Sequence, residues 1–308
     1  MKQVRRSGGQ DGREERKTMG SSGKEDGRSG AGATALGATA GAAAAETLLA
    51  AERISFAFEP GRPLLDGVSF AVRRGEFVSL LAPSGAGKST LFRLIAGLLE
   101  PQGGSLTLGG AGSGSTAAGA PASRLGRVGY MPQKDCLLPW RRVLDNAALG
   151  LELAGVPRRE ARERASGLLP SFGLAGTEAK YPHELSGGMR QRVSFLRTVL
   201  CGAELLLLDE PFSALDAMTR VDMQEWLLGV WERHRSAVVF ITHDVDEALL
   251  LSDRVLVATA APVRELREVR VDLPRPRSYR DTTDERFAAL KRRVLELLRR
   301  GGEGGDRG

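Results

Sequence analysis

The spacing of apolar residues changes period several times along the chain, and each change marks a boundary. Residues 52–58 (ERISFAF) alternate apolar and polar, as a half-buried strand does. Residues 64–72 (LLDGVSFAV) predict a second strand, interrupted at Asp66 and Gly67. The run 77–81 (FVSLL) is continuously apolar, the pattern of a strand covered on both faces. Further strands are predicted at 127–131 (RVGYM), 204–208 (ELLLL), 237–242 (AVVFIT) and 254–258 (RVLVA). Between them the period lengthens to that of a helix, over 143–153, 157–168, 187–201, 217–234 and 245–251. Residues 88–96 set Leu91, Leu94 and Ile95 at helical spacing, and Gly97 stands where such a helix would stop. Buried strands alternating with helices predict an α/β fold with a largely parallel core sheet. Near the end, 284–300 places Phe287, Leu290, Val294 and Leu297 on one helical face with basic residues opposite. That helix reads as one docked on the main domain, with a membrane-surface or partner-binding helix as the other reading.

Two stretches lack any period. Residues 1–47 alternate Gly, Ser, Arg and Glu and then run into Gly and Ala, a composition that predicts a disordered tail, with order beginning near Leu48. Residues 103–123 are rich in Gly, Ser and Ala and predict a mobile loop. The segment 31–45 follows basic residues as a signal sequence would, but it is mostly Ala and Gly and starts too far into the chain, so secretion is not expected. The four leucines 205–208 are ended by Asp209 and Glu210, far short of the roughly 20 apolar residues of a membrane span.

Composition narrows the chemistry. The chain has 308 residues, 42% of them hydrophobic, enough for a sizeable core. A net charge of +6 fits an anionic partner such as a nucleotide or lipid surface without demanding a nucleic-acid groove, and aromatics at 5% argue against a stacking-rich single-strand binder. Cys136 and Cys201 stand at no metal-ligand spacing, so a disulfide scaffold and a structural zinc site are both excluded.

Three motifs carry chemistry. Residues 82–90 (APSGAGKST) lie directly after a buried strand and directly before a helix, the context of a phosphate-binding loop. In such a loop, glycines at Gly85 and Gly87 let the backbone N–H groups that follow Pro83 turn inward on phosphate oxygens, and the helix start adds partial positive charge. Ser84 and Ala86 complete the loop. Lys88 then reaches the β- and γ-phosphates, the Ser89 hydroxyl suits Mg²⁺, and Thr90 faces the α-phosphate region. Ala82 stands where a glycine is usual, but that position ends the strand and tolerates a methyl group. The second motif is LLLLDE at 205–210, a buried strand ending in two carboxylates. By itself such a pair is most often a solvated turn. Beside a phosphate loop, Asp209 suits Mg²⁺ and Glu210 suits polarisation of an attacking water. The third is LSGGMRQR at 185–192, in which Ser186 caps a helix while Gly187 and Gly188 expose the N–H groups of its first turn. An ordinary capped helix remains the plainer reading of that segment, yet one chain then holds two phosphate cradles. Either it binds two anions or two chains complete each other's site.

LSGGMRQR resembles the signature sequence of the ATP-binding cassette (ABC) ATPases, and the resemblance runs from about residue 48 to 300 with the motifs in the family's order. It implies a P-loop NTPase cassette with a mostly parallel core sheet, a small antiparallel β subdomain and an inserted helical subdomain at 134–182. The cassette would occupy 48–262, with 263–308 as a C-terminal extension. It also implies ATP and Mg²⁺ as ligands and a head-to-tail homodimer in which Ser186, Gly187 and Gly188 act in trans. By the same resemblance Gln133 in YMPQKD would sense Mg²⁺ and the transmembrane partner, Asp216 in SALD would cross the dimer, and His243 in FITHD would contact the γ-phosphate. Phe58 would stack on adenine. His183 and His234 receive no role beyond surface or capping duties.

MPQKDCLLPWRRVLDN, ITHDVDEALLLSDRV and VDLPRPR are similar to the cassette subunits of bacterial nitrate/sulfonate/taurine-type importers. That similarity implies two integral membrane permease subunits, an external solute-binding protein, no nucleic acid, and a peripheral place on the cytoplasmic face of the membrane. The face around Leu138, Pro139, Trp140 and Arg141 would meet a permease helix, unless Trp140 packs internally. Aliphatic sulfonates, taurine, nitrate and thiamine-precursor pyrimidines all stay open as solutes. Two alternatives stand beside this reading: a soluble ABC-type ATPase of repair or translation, and a non-hydrolysing regulatory subunit, against which Lys88, Asp209, Glu210 and His243 all argue.

Overall fold

A computed structural model describes residues 46–109, 124–213 and 215–302. The expectations for a disordered tail over 1–45 and for a loop over 110–123 fall outside the described residues.

The continuous apolar runs form the centre. Five parallel strands, β3 (Phe77–Leu81), β5 (Val128–Met131), β6 (Leu205–Asp209), β7 (Ala237–Thr242) and β8 (Arg254–Ala258), stand in the order β5-β6-β7-β3-β8. A sixth strand, β9 (Leu266–Arg270), closes the edge antiparallel to β8. Strand geometry sends alternate side chains to opposite faces, and the core divides accordingly. Phe77, Leu81, Leu206, Leu208, Val238 and Phe240 join one cluster; Val78, Leu80, Leu205, Leu207, Val239 and Ile241 join the other. A strand buried on both faces has no polar side to show, which is why LLLLD and AVVFIT carry no alternation.

On one face lie helix α1 (Lys88–Ile95) and a three-stranded antiparallel sheet, β2-β1-β4, built from β1 (Thr47–Glu59), β2 (Arg62–Arg73) and β4 (Gly103–Leu108). α1 ends at Gly97 (φ +76°), with Gly97 N–H donating to Leu94 O at 3.1 Å and Leu98 N–H to Arg93 O at 2.8 Å, a glycine stop of the left-handed kind. On the other face lie α2 (Val143–Leu153), α4 (Gly187–Leu200), α5 (Ala217–His234), α6 (Val245–Leu251) and α7 (Glu285–Gly302); α3 (Arg158–Leu168) packs on α2.

The structure corrects the reading of 103–123 as loop from its first residue. Residues 103–108 form β4, paired with β1 from Ser55 to Leu49 and burying Leu106 and Leu108. Strand β9 has no counterpart among the predicted elements. The tail helix settles on the docked reading: Phe287 and Val294 are fully buried against the main core, and Leu290 and Leu297 pack beside them. Its apolar face is therefore taken by the protein itself.

Candidate nucleotide site

Parallel strands present all their C-terminal ends at one edge of the sheet, and this is where side chains from separate segments can meet. Four neighbouring strands do so here. β3 runs into the loop 82–87, β5 leads to Gln133, β6 ends in Asp209 and Glu210, and β7 is followed by His243.

The loop after β3 has the form of an anion nest. Gly85 and Gly87 adopt φ +78° and +85°, a region that side-chain-bearing residues avoid. A Cβ on Gly87 would also press on Leu64 at 3.4 Å. Ser84, Gly85, Gly87, Lys88, Ser89 and Thr90, with Leu64 and Glu210, line a cavity of about 310 Å³ over the start of α1. Lys88 Nζ donates to Ala82 O at 2.9 Å and Pro83 O at 3.2 Å. Ala82 is buried and is not among the residues with positive φ; its methyl group lies in an apolar seam with Leu65, Leu80, Ala86 and Leu91. The departure from glycine at this position thus costs no backbone strain.

Asp209 is 4% exposed. Tyr130 Oη donates to its Oδ2 at 3.3 Å, and the Ser89 hydroxyl is among the groups that hold its pKa down. Burial raises the pKa of Asp209, with Glu210 adding to the rise and Ser89, Tyr130 and Lys88 opposing it. The same burial, with the Asp209 charge, pushes the Tyr130 phenol up to about 12. A hydroxyl and a carboxylate oxygen held together beside a phosphate nest are the hard donors that Mg²⁺ prefers.

Glu210 turns the other way. Its φ of +44° breaks the strand geometry, and its N–H donates to Ile241 O at 2.9 Å. Its Oε2 receives Gln133 Nε2 at 3.1 Å and stands 3.5 Å from His243 Nδ1. Gln133 also lies 3.4 Å from Ser213 Oγ, which donates to Glu210 O at 2.9 Å. The amide of Gln133 therefore meets Glu210 rather than Asp209. Tyr130 and Ser213 were not singled out in the sequence; both become visible only once the sheet order is known.

Ser186 caps α4, accepting from Met189 N–H at 3.3 Å. A Cβ on Gly187 would stand in ordinary contact with Leu215 Cδ2 at 3.7 Å and Arg190 Nη2 at 3.9 Å, whereas a Cβ on Gly188 would stand 2.9 Å from Thr219 Cγ2. The second glycine thus serves the packing of α4 against the start of α5. None of Ser186, Gly187 and Gly188 lines the cavity over the phosphate loop. Gly187 instead borders a larger cavity of about 500 Å³ with Gln133, Asp135, Arg190 and Ser213. Arg190 and Arg197 of α4 hold the segment after Gln133, through Asp135 Oδ2 at 3.0 Å and the carbonyls of Asp135 and Cys136 at 2.8 Å. Asp216 caps α5, and the bond from Thr219 holds its carboxyl below the usual range.

Phe58 is exposed and meets Phe56 edge-on at 5.0 Å; it does not line the phosphate cavity. Trp140 is 72% exposed, so it does not pack internally. Buried Asn146 fixes the loop that carries it, accepting from Leu138 N–H at 2.7 Å and donating to Leu138 O and Arg141 O at 3.1 and 3.0 Å. His183 stacks on Tyr181 at the surface, and His234 is exposed at the end of α5.

The chain resembles known proteins over most of its length. Residues 65–213 match the family model described as ABC transporter. The chain is 42% identical over 253 residues to the formylaminopyrimidine import ATP-binding protein ThiZ of Halalkalibacterium halodurans, covering 82% of this chain and 96% of that one. It is 43% identical to the taurine import ATP-binding protein TauB of Rhizobium johnstonii (80% and 93% covered) and 47% identical to the aliphatic sulfonates import ATP-binding protein SsuB 1 of Rhodococcus jostii (76% and 87% covered). Among solved structures, an ATP-binding cassette in a dimeric post-hydrolysis state bound to ADP and Pi superposes with a TM-score of 0.61 at 26% identity, covering 74% of this chain and all of that one. Among the described residues no helix is long and apolar enough to cross a membrane. With a phosphate nest, an acidic strand end and a capped glycine helix in one cassette fold, and relatives matched over nearly their whole length, the chain belongs to the ATP-binding, ATP-hydrolysing proteins of the ABC transporter family.

Proposed function

We propose that the chain powers uptake of a small anionic or polar solute, of the sulfonate, taurine, nitrate or thiamine-precursor kind, as one of a pair of cassettes beneath two membrane permease subunits. The observation that carries the catalytic part is the convergence of Gln133 and His243 on one oxygen of Glu210, at the mouth of the phosphate cavity. Residues from three strand ends meet at that oxygen, and a carboxylate so placed can accept a proton from water in line with a bound γ-phosphate. Lys88 and the backbone N–H groups of residues 84–90 would neutralise the phosphate oxygens. Mg²⁺ would be held by Ser89 and Asp209, with Gln133 the third donor, and would offset the charge of the β- and γ-phosphates. Phe58 is the candidate platform for adenine, through its exposed ring face.

The signature residues Ser186, Gly187 and Gly188 are assigned to the nucleotide of a second copy, and Asp216 to the contact between copies. Their absence from the chain's own phosphate cavity supports this. The permease contact is assigned to Trp140, an exposed aromatic on a loop made rigid by Asn146. An external solute-binding protein would deliver the solute without touching this chain. The site on the membrane's cytoplasmic face follows from those partners.

The test is co-expression with candidate membrane permease subunits of the sulfonate, taurine, nitrate or thiamine-precursor kind, followed by affinity purification from detergent. The wild-type chain is expected to hold the permease. Trp140→Ala is expected to lose about tenfold or more in that association, as hot-spot aromatics do, while the ATPase rate of the isolated chain stays within about twofold. Equal retention of the permease by both forms would remove Trp140 from the interface, and no permease binding at all would remove the transport reading.

A further inference from the structure

One buried carboxylate has no part in the scheme above. Glu247, on α6, is 6% exposed. Both its oxygens are engaged. Thr242 Oγ1 donates to Oε2 at 2.5 Å, and Gln224 Nε2 donates to Oε1 at 3.1 Å. Arg220 Nε stands 3.9 Å from Oε1 and is buried without a hydrogen bond of its own.

These partners lie on the segment that carries His243 and on the helix that Asp216 caps. Thr242 ends β7 immediately before His243. Its hydroxyl gives its proton to Glu247 and accepts the N–H of Asp244 at 3.0 Å, so the residues on both sides of His243 are tied to one oxygen. Asp244 in turn caps α6, accepting from Asp246 N–H at 2.8 Å and Glu247 N–H at 3.2 Å. On the other side, Gln224 and Arg220 belong to α5, whose cap is Asp216. Arg220 also donates from Nη2 to Leu215 O at 3.1 Å, beside that cap. A continuous line of contacts therefore joins Leu215 and Asp216, through Arg220, Glu247 and Thr242, to His243 and Glu210.

We infer that Glu247 is a positioning residue, which fixes the His243 turn against α5 and so links the Asp216 loop to the histidine at the nucleotide. Burying a carboxylate is costly unless its bonds are specific and complete. A core that needed only volume at this point would hold an apolar residue. The charge is placed instead where one oxygen locks the turn before His243 and the other faces a guanidinium 3.9 Å away, a gap that a small movement of α5 would close. The inference rests on the proposed role of His243, and the test separates the two.

Steady-state ATPase measurements on the full chain compare Glu247→Ala, Thr242→Val and Thr242→Ser with His243→Ala. Thr242→Val keeps the shape of the side chain and removes the hydroxyl; Thr242→Ser keeps the hydroxyl. Glu247→Ala and Thr242→Val are expected to lower kcat by about tenfold or more while KM for ATP and binding of a fluorescent nucleotide change by less than about threefold. Thr242→Ser is expected to hold kcat within about threefold of wild type. Adding Glu247→Ala to His243→Ala is expected to cost little more than His243→Ala alone, because residues acting through one another are not additive. Wild-type kcat in Thr242→Val, or full additivity in the double variant, would overturn the assignment of Glu247. Wild-type kcat in His243→Ala would overturn the role of the histidine itself. If Glu247→Ala does not fold, the contrast of Thr242→Val with Thr242→Ser decides alone.

Discussion

Glu210 sits in a backbone conformation that glutamate rarely adopts, and nothing but its surroundings holds it there. A non-glycine residue at φ +44° costs on the order of 1 kcal/mol or more, and such costs gather at functional sites. The return is direction: Asp209 keeps the strand geometry and points to Ser89 and Tyr130, while Glu210 swings out to Gln133 and His243. Two adjacent carboxylates thereby acquire separate surroundings. Replacing Glu210 by Gln preserves size and a bond to Gln133 but removes the proton acceptor. Turnover of Glu210→Gln is expected to fall by about 100-fold or more, with ATP and Mg²⁺ still bound and a nucleotide-bound dimer accumulating on a sizing column. Hydrolysis at the wild-type rate would strip Glu210 of its role. At this scale the sequence was informative wherever the chemistry is contiguous. Lys88, Ser89, Asp209 and Glu210 each announce themselves within a short string. The Gln133–Glu210–His243 meeting spans 77 residues on one side and depends on the order β5-β6-β7, which no local pattern encodes. Gly188 was read for its N–H, whereas its missing side chain also makes room for Thr219.

The elements were legible in proportion to how much apolar surface they bury. The four-leucine strand and the five helices between strands stand near the positions their periods predict. β4 did not, since only Leu106 and Leu108 of GGSLTL are buried and the glycines around them read as loop. Gly104 explains part of that composition: at φ +82°, a Cβ would lie 2.3 Å from the carbonyl oxygens of Glu52 and Arg53, so the bend against β1 excludes any other residue. β9 buries Val269 fully and little else, which is too weak a signal for an edge strand. The last helix allows a sharper check. α7 meets α6 through Phe287 and Val294 in the core and through Lys291 Nζ on Asp246 Oδ2 at 2.7 Å, a pair about two-fifths exposed on each side. Hydrophobic burial should dominate. Phe287→Ala is expected to cost about 3–5 kcal/mol in denaturant unfolding, and Lys291→Ala less than about 1 kcal/mol. The reverse order would mean that the helix is held by charge and would reopen its reading as a surface-seeking element.

At the scale of the molecule, the question is which nucleotide the glycine helix serves. Ser186, Gly187 and Gly188 form a capped helix start, with Ser186 exposed and Gly188 buried, yet the chain's own phosphate cavity is lined by other residues. A helix start of this kind favours an anion, and a second copy placed head to tail would bring one to it. Two defective chains can separate the cis and trans arrangements. Lys88→Ala spoils only the phosphate loop, and Ser186→Arg fills only the signature. Each alone is expected to be inactive. Mixed, they form heterodimers in which one composite site joins the intact loop of the Ser186→Arg chain to the intact signature of the Lys88→Ala chain. The other composite site carries both defects. Random pairing gives heterodimers in about half the population, each with one sound site of two, so roughly a quarter of wild-type activity is expected if the sites act independently. Recovery well above either variant alone, rising with the product of the two concentrations, would mark the trans arrangement. If loop and signature instead served one nucleotide within one chain, every chain in the mixture would stay broken and no mixing ratio would restore hydrolysis.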